Sequence, residues 1–355
     1  MSEATQLSSA PGTAVDGLEP VMSVRDLRTH FEQRHATLKA VDGVSFDLYA
    51  GETVGLVGES GSGKSVTGYS LLGLIDAPGR IVGGSVHLAG QQLVGLDAAG
   101  LRAVRGRQLA MIFQDPMATL NPVLTIGAQM QLALQAHGRI PEAQARARCV
   151  EVLRQVGIPD PERRLQAWPH QFSGGMRQRV AIAIALLHKP QVIVADEPTT
   201  ALDVSIQAQI LTEIHRLVQD SGTALLWISH DLATVAAIAR RVLVMYAGRI
   251  VEEGPTRAVL HAPRHPYTAG LLGSLPQSST PGQPLAQIPG SPPPLDALPA
   301  GCSFADRCPH AQARCREEAP PRVSDGDRAW RCHFPLHLAD AEPRASGASG
   351  ASGTR

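Results

Sequence analysis

Gly58-Glu59-Ser60-Gly61-Ser62-Gly63-Lys64-Ser65 fits the phosphate-binding pattern G-x-x-x-x-G-K-[ST] at every constrained position. Thr53-Val54-Gly55-Leu56-Val57 before it reads as a short buried strand. The run from Ser65 to Leu72 reads as the opening of a helix. Glycines at 58, 61 and 63 permit close backbone approach, so successive N–H groups can point at an anion. The helix N-terminus adds its partial positive charge. Lys64 is expected to reach the terminal phosphates of a nucleotide, and the Ser65 hydroxyl to ligate Mg2+. The lysine is conspicuous because the chain has 29 arginines and only 3 lysines. A compact ammonium on a flexible stem suits a tight phosphate loop better than a planar guanidinium.

The second decisive stretch is Val192-Ile193-Val194-Ala195-Asp196-Glu197, an apolar strand ending in two carboxylates. Asp196 is placed to hold Mg2+ at a strand's C-terminal edge beside the phosphate loop. Glu197 is then positioned to polarise an attacking water as a general base. Together the two stretches imply a nucleoside triphosphate as substrate and Mg2+ as its companion.

Composition narrows the class. A chain of 355 residues suggests about two domains. Lys+Arg and Asp+Glu both total 32, so no basic field points to nucleic acid. The longest uninterrupted apolar run, Val180 to Leu187, is far short of the roughly 20 residues a membrane span needs. Residues 1–20 lack the pattern of a secretion signal, and both 1–20 and 339–355 read as disordered tails. Residues 21–50 alternate as antiparallel strands, about 115–180 turns helical, and 173–255 alternates strand with helix as in a parallel sheet. Eight prolines between Pro276 and Pro299 read as a stiff connector.

Between these motifs, Phe172-Ser173-Gly174-Gly175-Met176-Arg177-Gln178-Arg179 resembles the signature of ATP-binding-cassette ATPases. Gln114, in Phe113-Gln114-Asp115-Pro116, resembles the Q-loop glutamine. Ala201-Leu202-Asp203 resembles the D-loop, and His230, in Ile228-Ser229-His230-Asp231, resembles the switch histidine. Phe31 is the candidate for the aromatic that stacks on adenine. The resemblance covers roughly residues 21–275. It implies an α/β P-loop cassette: a parallel-sheet core, an antiparallel β subdomain, and a helical signature subdomain over about 115–180. In that family Gln114 senses both Mg2+ and the membrane partner, and His230 contacts the γ-phosphate and orients the attacking water. Ser173, Gly174 and Gly175 cap the nucleotide of a second subunit, so the resemblance implies a dimer. Met176 and Gln171 depart from the residues many cassettes carry there, while the Ser-Gly-Gly core is intact.

Gln114 to Gly127, Arg264-His265-Pro266-Tyr267-Thr268, and Ile288-Pro289-Gly290-Ser291-Pro292 leading to Gly301-Cys302 resemble the ATPases of oligopeptide/dipeptide importers. That resemblance implies a peripheral position on the cytoplasmic face of the inner membrane. Its implied partners are two permeases, a second ATPase subunit (a copy or a relative) and an extracytoplasmic binding protein. Some members of the group carry nickel, other metal chelates or antimicrobial peptides.

Residues 276–338 are read as linker plus a small C-terminal domain. Its cysteines fall as Cys302-x5-Cys308-x6-Cys315-x16-Cys332, with Cys149 apart in a helical stretch. Clustered cysteines suggest metal ligands, with zinc or an iron–sulfur cluster the thiolate choices. The close C-x2–4-C pairs usual for zinc are absent. Similar cysteines hold a [4Fe–4S] cluster in some dipeptide-importer ATPases, so the resemblance favours that over Zn2+, with four free thiols as the plain alternative.

Overall fold

A computed structural model describes residues 19–199, 204–275 and 287–337. The expected terminal tails fall almost wholly outside these residues, as do Asp203 of the D-loop and the first part of the proline-rich connector. The strands run β1 Met22–Glu32, β2 Thr37–Leu48, β3 Thr53–Val57, β4 Gly79–Leu88, β5 Gln91–Gln92 and β6 Leu109–Ile112. They continue as β7 Val192–Asp196, β8 Ala224–Ser229, β9 Arg241–Tyr246, β10 Arg249–Pro255, β11 Val323–Asp325 and β12 Arg328–Trp330.

Two sheets form. One is antiparallel in the order β2-β1-β4-β5; the other has eight strands in the order β11-β12-β10-β9-β3-β8-β7-β6. In the larger sheet β9, β3, β8, β7 and β6 are parallel, and β10 and β12 extend it antiparallel. The parallel strands are apolar on both faces, as strands covered on both sides must be. Val192, Val194, Leu226, Ile228 and Leu243 face the antiparallel sheet and share a core with Val24, Val44 and Leu48. Ile193, Ala195, Leu225, Trp227 and Val242 face the other way and pack with Val180, Ala183 and Ile210 from helices.

The expected helical subdomain is present. Helices Ile126–Gln135, Glu142–Gln155 and Gly174–Leu186 pack on one another, with short helical turns between. Cys149 is buried within the second of these, where burial pushes its thiol up to about 11. No helix among the described residues is long and apolar enough to cross a membrane.

Strand register places the site. Val57 pairs with Ser229, Ile228 with Asp196, and Ala195 with Ile112. The C-terminal ends of β3, β8, β7 and β6 therefore lie side by side. The phosphate loop, His230, Asp196-Glu197 and Gln114 all leave the sheet at that one edge, the usual location for ligands in open α/β sheets.

The C-terminal segment is not a detached domain. β12 pairs with β10, Glu252 opposite Trp330, so it continues the nucleotide-site sheet. Residues 287–299 run without regular secondary structure, as their proline content requires.

Candidate active site

The phosphate loop takes the conformation its glycines permit. Gly63 has φ +105°, and a Cβ there would stand 2.1 Å from the Ala40 carbonyl oxygen. A Cβ on Gly58 would stand 2.1 Å from the Met245 carbonyl oxygen. Gly61, with φ +76°, faces open space. The helix Lys64–Leu71 starts directly from Gly63. Its first residue, Lys64, is buried, and its ammonium donates to the Gly58 carbonyl at 2.8 Å and the Glu59 carbonyl at 2.9 Å. Burial lowers its pKa, while Glu197, Asp196 and Glu59 pull the other way.

Asp196 ends β7 and is 1% exposed. The Ser65 hydroxyl donates to it at 3.0 Å, and the Tyr69 hydroxyl is its second hydrogen-bond partner. Burial raises its pKa, and neighbouring Glu197 adds to the rise. A buried carboxylate beside a second carboxylate and a hydroxyl is the oxygen donor set that suits Mg2+. The residues present fit that ion.

Glu197, at φ +44°, turns away from β7 and is gripped from two sides. Gln114 Nε2 donates to Glu197 Oε2 at 3.2 Å, and His230 Nδ1 lies 3.0 Å from Oε1. A carboxylate only accepts, so Nδ1 carries the proton of that bond. These three residues join Ala40, Ser60, Gly61, Gly63, Lys64, Ser65, Val66 and Leu295 around one cleft of about 590 Å3. Sequence motifs separated by more than 150 residues thus converge on a single cavity.

Relatives agree with this geometry. Residues 41–200 match the ABC transporter family model, and residues 251–315 match that of the oligopeptide/dipeptide transporter C-terminal region. The dipeptide transport ATP-binding protein DppD of Escherichia coli is 47% identical over 318 residues, covering 89% of this chain and 97% of the relative. The chain belongs to the ABC transporter ATP-binding proteins. The oligopeptide transport ATP-binding protein OppD of E. coli is also 47% identical, covering 90% of this chain and 94% of the relative. A probable peptide ABC transporter ATP-binding protein of Sinorhizobium fredii, y4tR, reaches 50% over 90% of the chain and 97% of its own length. Among solved structures, the dimeric ATP-binding cassette MJ0796 bound to ADP and Pi superposes with a TM-score of 0.60 at 26% identity. That match spans 66% of this chain and 99% of MJ0796.

The cassette's other expected residues sort by location. Ser173 caps the helix Gly174–Leu186, its hydroxyl accepting from Met176 N–H at 3.3 Å. Ser173 and Gly174 are exposed, Gly175 is buried, and none of the three lines the chain's own cleft. Met176 therefore uses only its backbone at the cap, and Gln171 accepts from Trp168 N–H at 3.0 Å.

Phe31 lies opposite Leu38 near the end of β1. Its partly buried ring sits against Gly79 and Ile75, and no aromatic side chain is among the residues lining the cavity.

The expected metal centre at the cysteines is not met either. Cys302, Cys308, Cys315 and Cys332 do share a small apolar pocket with His265, His310 and His333. Among the described residues, however, no group of three or more His, Cys, Asp or Glu is arranged to hold a metal ion. Burial raises the Cys302 pKa and pushes Cys308 to about 11 and Cys332 to about 12 in the metal-free chain. Cysteine spacing foretold their proximity, not a ligand geometry.

Three further residues reach the site. Tyr267 accepts from Glu59 N–H at 2.8 Å, Arg307 pairs with the Glu59 carboxylate, and Leu295 lines the cleft. All reach the loop from more than 200 residues away, beyond any local pattern.

Proposed function

We propose that this ABC ATPase powers a peptide importer. It would sit peripherally on the cytoplasmic side of the membrane, with two permeases, a second ATPase subunit and an extracytoplasmic binding protein as partners. Support for the cargo comes from the dipeptide and oligopeptide relatives, whose similarity runs through both the cassette and the C-terminal region. The single observation that carries hydrolysis is the double grip on Glu197 by Gln114 and His230 at the mouth of the phosphate-loop cleft.

The chemistry follows from that grip. Lys64 and the loop N–H groups hold the triphosphate. Ser65 and Asp196 would hold Mg2+, which supplies charge neutralisation on the phosphates. Glu197 takes a proton from water as the water oxygen bonds to the γ-phosphorus and the bond to the β–γ bridging oxygen breaks, giving ADP and phosphate. His230 orients Glu197 through Nδ1–H. Gln114 leaves β6 toward the helical subdomain, so movement of that subdomain changes the hold on Glu197. Ser173 and Gly174, exposed at a helix N-terminus, and Gly175 beside them are suited to the γ-phosphate of a partner's nucleotide, and Asp203 is assigned to the same interface by motif alone.

Reconstitution with its co-purified permeases tests the assignment. ATP hydrolysis should rise when the binding protein is loaded with di- or oligopeptide, and labelled peptide should enter the vesicles. Stimulation by nickel chelates but by no peptide would reassign the cargo. Activity dependent on DNA or ribosomes would overturn the transport reading.

A further inference from the structure

The phosphate loop carries an acid among its anion-binding groups. Glu59 is its second residue, and a carboxylate suits N–H groups at a helix N-terminus as a phosphate does. The Lys64 ammonium lies 2.9 Å from the Glu59 carbonyl oxygen. Burial lowers the Lys64 pKa and three carboxylates oppose it, Glu59 among them, so the charge of Glu59 is felt at the ammonium. A loose Glu59 side chain would compete with a triphosphate for the same donors.

Glu59 is nevertheless absent from the cleft lining, although Ser60, Gly61, Gly63, Lys64 and Ser65 belong to it. Two residues from the far end of the chain hold it outside. The Tyr267 hydroxyl accepts from its N–H at 2.8 Å, and Arg307 pairs with its carboxylate. Both holders are themselves fixed. Tyr267 is fully buried in the helix Pro266–Gly273. Its ring packs with those of Tyr246 and Phe304, the three centroids 4.5 to 5.4 Å apart. Arg307 rests on that aromatic cluster, and its Nε donates to the Pro289 carbonyl at 2.9 Å. The loop's own acid is thereby neutralised and turned from the anion site by side chains more than 200 residues away.

We propose that Arg307 and Tyr267 are positioning residues for the triphosphate: they fasten Glu59 outside the cleft, which leaves the loop N–H groups and Lys64 to the phosphates. The proposal rests on the nucleotide site described above and gives the C-terminal segment a part in it. It also accounts for an acid being tolerated in a loop that binds anions.

The test measures ATP and inorganic triphosphate, which has the phosphates but no base, by calorimetry on the full chain. Arg307→Gln should weaken both ligands by the same factor, about tenfold, because the freed carboxylate competes with either. Tyr267→Phe, which removes one oxygen and leaves the Glu59 N–H without its acceptor, should weaken both about threefold. Arg307→Gln/Glu59→Gln should regain most of the lost affinity, since an amide is no rival for the phosphate donors. A merely structural arginine predicts otherwise: the double variant has still lost the contacts with Tyr246 and Phe304, and would bind no better than Arg307→Gln. That result would overturn the proposal, as would a loss confined to ATP. Should Arg307→Gln fail to fold, Tyr267→Phe decides, and unchanged triphosphate affinity in it would overturn the proposal. Failure of the unaltered chain to bind either ligand would instead overturn the nucleotide site, and the proposal with it.

Discussion

Arg307 holds Glu59 of the phosphate loop with both arms of its guanidinium, at 2.7 and 3.0 Å from the two carboxylate oxygens, across 248 residues of sequence. The guanidinium also donates to the Tyr246 hydroxyl at 3.2 Å and lies over the Tyr246 and Phe304 rings. Its side chain is 7% exposed and that of Glu59 25%, so the pair is largely desolvated. Arg307→Gln should leave a half-buried carboxylate unpaired and cost on the order of 2 kcal/mol, below the 3–5 kcal/mol range of fully buried pairs. The double variant Arg307→Gln/Glu59→Gln should be less destabilised than the two single losses added together. Urea unfolding of the four proteins gives the coupling, and simple additivity would contradict a working ion pair.

Glu197→Gln should bind ATP, favour the dimer and lose turnover, because an amide cannot take the water's proton. The amide still fills the space between Gln114 and His230, so the site need not rearrange. Single-turnover assays with labelled ATP would expose substantial residual hydrolysis, an outcome incompatible with Glu197 as the base. His230→Ala, which removes one of the two grips, should slow hydrolysis roughly a hundredfold or more with little change in ATP affinity.

Glycines of the phosphate loop should differ sharply in tolerance. Gly63→Ala drives a methyl into the Ala40 carbonyl and the Met245 side chain, so binding of ATP should fall at least about tenfold. Gly61→Ala meets no atom within 4 Å and carries only the cost of φ +76°, about 1–2 kcal/mol in stability. Similar unfolding midpoints for the two variants would refute this ordering.

His265 is fully buried, and burial pushes its pKa down to about 3 from an ordinary 6.5. The unfolded chain therefore takes up a proton near pH 6.5 that the folded chain refuses until about pH 3. Its contribution is complete above pH 6.5 and is lost as pH falls through that window, about 2 kcal/mol by pH 5. His265→Asn preserves an acceptor for Tyr267 N–H, now met by Nδ1 at 3.0 Å, and removes the titration. Denaturation between pH 7.5 and 5 should show a shallower decline in this variant; parallel curves would reject the assignment.

What could be read from the sequence was local. Glycine spacing at 58, 61 and 63, the carboxylates closing an apolar strand, and the ordered motifs at 114, 173 and 230 each need only a few neighbouring residues. Strand register then had only to bring their ends together, as the pairings of Val57 with Ser229 and Asp196 with Ile228 do. Arg307, Tyr267 and Leu295 had no legible role, since each acts across a tertiary contact with no periodicity. The thiols were correctly placed together, but metal binding needs distances that spacing does not encode.

The pairing of β12 with β10 has a consequence for how this chain can be cut. β10 would be an edge without it, a row of open N–H and C=O groups ready to pair with another molecule. Arg328, on β12, also bonds the wholly buried Glu252 at 2.9 Å. A fragment ending near residue 275 would bare that edge and leave that carboxylate with only the Arg264 and His265 N–H donors, its arginine partner gone. Such a fragment should self-associate rather than behave as a minimal catalytic core, and the segment after residue 275 is inseparable from the solubility of the rest.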